Sequence, residues 1–82
     1  MDAAGIVANE HVHVVNNNNG SRIETYAIRG PEGSGCICMN GAAARQFQVG
    51  DEIIVMSYAM LSPDEAASFR PKVIFPDKEN KI

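Results

Sequence analysis

The chain has no tryptophan, and only three phenylalanines and two tyrosines among 82 residues. Large core-filling side chains are therefore scarce. A length like this allows one small domain, residues 1–82, and such a domain buries only about 60% of its unfolded surface. Chains below roughly 80 residues commonly gain stability from disulfides, metals or assembly. Cysteine is scarce too. Cys36 and Cys38 would share a face in an extended segment, too constrained to bridge each other. A C-x-C pair with no second pair is a poor zinc site. The two read as small buried hydrophobes in a reducing compartment, which leaves assembly into a homo-oligomer as the expected stabiliser.

Basic residues are also few: seven Lys and Arg stand against ten Asp and Glu, for a net charge of −3 and a pI near 5.2. That excludes the basic footprint of a nucleic-acid binder and the cationic run of a membrane-surface protein. No apolar run approaches the roughly 20 residues that span a bilayer. The start, "MDAAGIVANE", lacks the basic and apolar stretches of a signal peptide. Cytoplasm is the default location, with neither nucleic acid nor membrane as partner.

What is present reads as a β-rich chain with turns about every ten residues. Asp2 is placed to cap a one-turn helix ending at Gly5. From His11 to Val15 polar and apolar residues alternate, as in a strand. "NNNNG", Asn16 to Gly20, is a turn, because Asn and Gly tolerate positive φ. Arg22 to Ile28 is a second strand and closes a hairpin. "RGPEGSG", Arg29 to Gly35, is a flexible loop, and Cys36 to Met39 a short apolar strand. Asn40 is a good N-cap before the helix-forming Gly41–Arg45 stretch. "QVGD", Gln48 to Asp51, turns into a long apolar strand, Glu52 to Met60. "SPDE", Ser62 to Glu65, is a capping box with proline at the first helical position, starting a helix to about Phe69. Lys72 to Phe75 is a further strand and "PDKEN" another turn. The pattern suggests a small barrel or sandwich, and periodicity alone does not choose between them.

Three segments could build a site. On the second strand Arg22, Glu24, Tyr26 and Ile28 share one face, and Ile23, Thr25 and Ala27 the other. Arg22 offers a planar fork for a carboxylate, and Tyr26 a proton; the ordinary alternative is an exposed strand with Arg22 paired to Glu24. The second segment is "NGAAA", Asn40 to Ala44, where a helix start would offer free amides to an anion; alanines there are more often plain helix formers. "GSGCIC" has no phosphate-loop lysine and reads as a mobile loop. His11 and His13 share a face, but with no evident third ligand they read as a partly solvated strand face and no metal site is expected. The residues by themselves point to a β domain with a small-anion site.

The stretches "DAAGI", "NNNNGSRIETYAI", "GCICMNGAAAR", "VGDEIIVMSYAML" and "PKVIF", in that order, resemble the aspartate 1-decarboxylases. The resemblance implies a mainly β fold, a small double-psi β-barrel with short helices, and a homotetramer. It implies a covalently bound pyruvoyl group that forms a Schiff base with L-aspartate and withdraws electrons as CO₂ leaves, giving β-alanine for pantothenate and coenzyme A synthesis. By motif position Arg22 holds a substrate carboxylate and Tyr26 is the proton donor. Thr25 contacts substrate and assists the self-cleavage that makes the cofactor. Asn40, Gly41, Ala42 and Ala43 bind substrate. Thr25 should face away from Arg22 and Tyr26 on an ideal strand, which a bulge or a site shared between subunits would resolve.

The family cleaves at a Gly-Ser pair that precedes the "DAAGI" stretch and follows a first strand carrying a lysine. Within this sequence Gly20-Ser21 and Gly33-Ser34 fall elsewhere in the motif register. The expectation is a barrel lacking its N-terminal strand and inactive alone, either a fragment that needs an upstream segment or a truncated paralogue. The alternative from another class is a non-catalytic barrel module that binds a small dicarboxylate or a full-length partner.

Overall fold

The computed structural model describes residues 1–82. It is a mainly β structure built on one three-stranded antiparallel sheet. Its strands are β1 (His11–Asn16), β2 (Arg22–Tyr26) and β3 (Ile53–Met56), in the order β2-β1-β3. A six-residue 3-10 helix, Gly41–Gln46, lies between β2 and β3, and the helix α1, Pro63–Ser68, follows. The sheet is open: β2 and β3 are its two edges.

The alternation in "HVHVVN" sets the sheet's two faces. Val12 and Val14 are 2% and 3% exposed and Asn16 is 1% exposed, and these three are the only buried residues of the chain. Cross-strand pairing puts Thr25 opposite Val12, Ile23 opposite Val14 and Val55 opposite Val14 on the other side. The reverse face carries His11, His13, Arg22, Glu24, Tyr26 and Met56. The β1–β2 register runs unbroken from His11↔Tyr26 to Val15↔Arg22, so β2 contains no bulge. Past it the ladder ends in a bulge on the β1 side: Asn9, at φ +69°, and Glu10 share Ala27, with Asn9 N–H on the Ala27 carbonyl and Ala27 N–H on the Glu10 carbonyl.

The turn "NNNNG" does more than reverse the chain. Gly20 takes φ +77°, a conformation open to glycine at little cost, and its N–H donates to the Asn16 carbonyl at 2.8 Å. The Asn16 side chain donates to the Gln46 carbonyl (3.0 Å) and to Asp51 Oδ2 (2.7 Å), and accepts from Asn18 N–H (2.9 Å). Asn18 Oδ1 accepts from Glu52 N–H, and Asn19 Nδ2 donates to the same Gln46 carbonyl. The turn thus ties the hairpin to the end of the 3-10 helix and to the start of β3.

Several expected elements take another form. Asp2 begins a turn, with Gly5 N–H on its carbonyl, but its carboxylate pairs with Arg29 at 2.7 Å instead of capping a helix. Cys36–Met39 and Lys72–Phe75 form no strands, because no neighbouring strand offers them backbone partners. Cys36 and Cys38 are exposed, contrary to the buried pair expected. The strand expected over Glu52–Met60 ends at Met56. The stretch after Asn40 is a 3-10 helix with no buried face, and Asn40 makes no capping bond with its side chain. Its Oδ1 accepts from Cys38 Sγ instead. The capping box at Ser62 forms as expected: Ser62 Oγ accepts from Glu65 N–H at 3.2 Å and donates to the Glu65 carboxylate at 3.0 Å. No helix is long and apolar enough to cross a membrane.

Candidate functional site

β2 divides the expected site residues between two faces. On the face shared with Val12 and Val14, Thr25 meets the 3-10 segment, and a shallow groove is lined by Ile23, Glu24, Thr25, Asn40, Ala42, Ala43 and Gln46. Four expected residues, Thr25, Asn40, Ala42 and Ala43, are therefore brought together. Gly41 sits between them in sequence and enters the helix at φ +63°, a conformation that a side chain would strain. The groove offers the Thr25 hydroxyl, the Asn40 and Gln46 side-chain amides, the Glu24 carboxylate and a wall of methyl groups, with little bulk to keep a small ligand from the backbone. A 3-10 helix of six residues is too short to hold an anion by its dipole, so the helix-start cradle expected from the sequence is replaced by this groove, whose one charged lining group is the Glu24 carboxylate.

Arg22 and Tyr26 stand on the other face. Arg22 Nη2 donates to His13 Nδ1 at 2.9 Å and to Tyr58 Oη at 3.1 Å. A guanidinium has no acceptor, so Nδ1 takes the Arg22 hydrogen and the ring proton sits on Nε2. From there it faces Glu24 Oε1 at 2.9 Å. The expected Arg22–Glu24 pair is thus replaced by a chain, Arg22–His13–Glu24. Tyr58 packs edge-on against His13, ring centroids 5.0 Å apart, and a second shallow groove runs over Glu10, His11, His13 and Tyr58. At its rim the Ser57 hydroxyl donates to Glu10, and with Val7 N–H it holds the Glu10 carboxyl below its usual range. Tyr26 is 58% exposed.

Sequence reasoning missed three residues here. His13 and Tyr58 fix the arginine; the signal was parity, since Tyr58 follows Ile54 and Met56 at two-residue steps on the His13 side. Glu24 is the third group near the two histidines that seemed absent. It lies directly across from His13 in the pairing, which only the hairpin register reveals.

The family model for aspartate decarboxylase matches residues 1–82, the whole chain. The chain belongs to the aspartate decarboxylase family. The aspartate 1-decarboxylase of Phocaeicola vulgatus is 64% identical over 83 residues, covering all of this chain and 72% of that protein. Those of Exiguobacterium sibiricum and Bacillus velezensis are 61% and 58% identical over 82 residues, each covering all of this chain and 65% of the relative. The chain thus spans roughly two thirds of the length of these family members. Neither Gly-Ser pair within it resembles a reactive site: Ser21 Oγ donates to Gln46 Oε1 at 2.7 Å and Ser34 Oγ to the Pro31 carbonyl at 2.7 Å, and both serve turns.

Proposed function

We propose that this chain forms the substrate-binding part of a pyruvoyl-dependent enzyme that decarboxylates L-aspartate to β-alanine and CO₂, a carbon–carbon lyase acting as a homotetramer in the cytoplasm. Family membership over all 82 residues supports the reaction. The observation that carries the arrangement is the unbroken β2 register. With no bulge, Thr25 and Arg22 address opposite faces of one strand, and a site needing both is built from two protomers. The burial supports assembly as well: with three buried residues and exposed Ile28, Val49, Met60 and Phe75, a lone chain leaves apolar surface for neighbours to cover.

In this reading the groove of Thr25, Asn40, Gly41, Ala42 and Ala43 receives the reacting end of the substrate. Its Thr25 hydroxyl, its side-chain amides and its small walls fit a carbonyl-bearing group of pyruvoyl size. When bound, that group supplies an electron sink for the bond to the departing carboxylate. Arg22, already oriented by His13 and Tyr58, holds the remaining carboxylate through its fork. Tyr26 returns a proton to carbon once a neighbouring protomer shields its phenol from water. Neither Gly-Ser pair of residues 1–82 occupies the family's cleavage position, so the serine that yields the group lies outside these residues, and residues 1–82 alone are inactive.

The engaged hydroxyls of Ser21 and Ser34 also suit a second reading, a non-catalytic module that binds a dicarboxylate. Joining the N-terminal segment of the Phocaeicola vulgatus relative to residues 1–82 distinguishes the two. Self-cleavage by intact mass together with β-alanine release supports the enzyme. Cleaved protein that binds aspartate without releasing β-alanine supports the module.

A further inference from the structure

We infer that His11, His13 and Glu24 form a binding site for a divalent transition-metal cation of the zinc class, on the outer face of the β1–β2 hairpin. The ligand atoms of the three side chains lie within 4.8 Å of one another. Glu24 Oε1 stands 2.9 Å from His13 Nε2 and 3.6 Å from His11 Nε2. Two ligands on one tetrahedral zinc, at bond lengths near 2.1 Å, are about 3.4 Å apart. His13 and Glu24 must part slightly and the widest pair, within 4.8 Å, must close, and the side chains of His11 and Glu24, 68% and 64% exposed, are free to make both moves. His13, 19% exposed, is the fixed member.

The set follows from strand geometry. His11 and His13 project from the same face two residues apart, and Glu24 is paired across from His13. The rings are 5.2 Å apart, and the groove of Glu10, His11, His13 and Tyr58 leaves room above them for water on the open coordination positions. Two imidazoles and one carboxylate select zinc, nickel or copper over calcium or magnesium. Cation uptake at His13 Nε2 moves the ring proton to Nδ1, which then opposes Arg22 Nη2. The cation and the Arg22–His13 bond exclude each other.

The test is calorimetric titration of the 82-residue chain with Zn²⁺, carried out on a Cys36→Ser/Cys38→Ser background so that the exposed thiols do not compete. The site is supported by one-to-one binding on that background, weakened more than about a hundredfold, the upper end of what an outer-shell partner alone carries, by His11→Ala and by Glu24→Gln separately. Arg22→Ala, which removes the competing donor, binds at least as tightly. Binding that vanishes with the cysteines, or is unchanged in both His11→Ala and Glu24→Gln, or is weakened by Arg22→Ala, overturns the assignment.

Discussion

Replacing Asn16 with alanine should be the most damaging single change in the hairpin. Its side chain, 1% exposed, makes three hydrogen bonds. The bond to Asp51 involves a charged acceptor that water screens, and the bonds to the Gln46 carbonyl and Asn18 N–H are neutral, about 0.5–1.5 kcal/mol each. The sum overstates the loss. The Asp51 carboxylate keeps Gln48 N–H, the Gln46 carbonyl keeps Asn19, and water reaches both once the amide is gone. A net cost of about 2–3 kcal/mol remains, which for a domain of this size lowers Tm by about 8–24 °C. The assay is urea unfolding followed by far-UV circular dichroism, at fixed chain concentration because assembly shifts apparent stability. Asn17→Ala is the control: Asn17 is exposed and engages Glu52 through its backbone, so its loss should stay within about 0.5 kcal/mol. Equal midpoints for Asn16→Ala and Asn17→Ala would refute the claim that the buried amide joins the turn to the 3-10 helix.

Asp51 is held below its ordinary range first by the Asn16 amide and then by Gln48 N–H. A depressed folded value means that its stabilisation is complete above the unfolded value near 3.9 and disappears as pH falls through the folded one; Asp51→Asn should flatten the wild-type drop in urea midpoint below about pH 4. Ser62→Ala should remove the cap on α1 at a local cost of about 1 kcal/mol, seen as faster amide exchange at Glu65 and Ala66 with little change at β1. In the chain carrying a relative's N-terminal segment, Tyr26→Phe should lower kcat by about 10²-fold or more while leaving KM nearly unchanged, and a fall in kcat/KM through KM alone would remove Tyr26 from proton transfer.

The legible parts of the sequence were those whose determinants are local. The alternation of His11 to Val15 gave β1, Gly20 the turn, and Ser62 with Glu65 the start of α1, because each depends on atoms a few residues apart. Cys36–Met39 and Lys72–Phe75 carry the same apolar signature but lack a partner strand, and a strand is not a property of one segment. The Asn40 cap failed for a related reason: its side chain found a closer partner in Cys38. On β2, the opposition of Arg22 and Tyr26 to Thr25 was legible from strand parity. Their neighbours were not. Glu24 reaches His13 through the β1–β2 register, and Tyr58, two residues past β3, reaches Arg22 across β1, a contact that follows only from the order β2-β1-β3.

The asparagine turn also bears on how the chain ages. An asparagine followed by glycine loses its amide readily, because the glycine nitrogen can attack the side-chain carbonyl carbon and close a five-membered imide. Asn19-Gly20 is such a pair, yet here both reactants are occupied. The Gly20 nitrogen is engaged with the Asn16 carbonyl, and the Asn19 amide is held at both ends, by the Gln46 carbonyl and by Ser21 N–H. Folding therefore protects the chemically weakest bond in the hairpin. Once the turn opens, the product carboxylate repels the carbonyl that Asn19 used to bind, so a damaged chain refolds less well than an intact one.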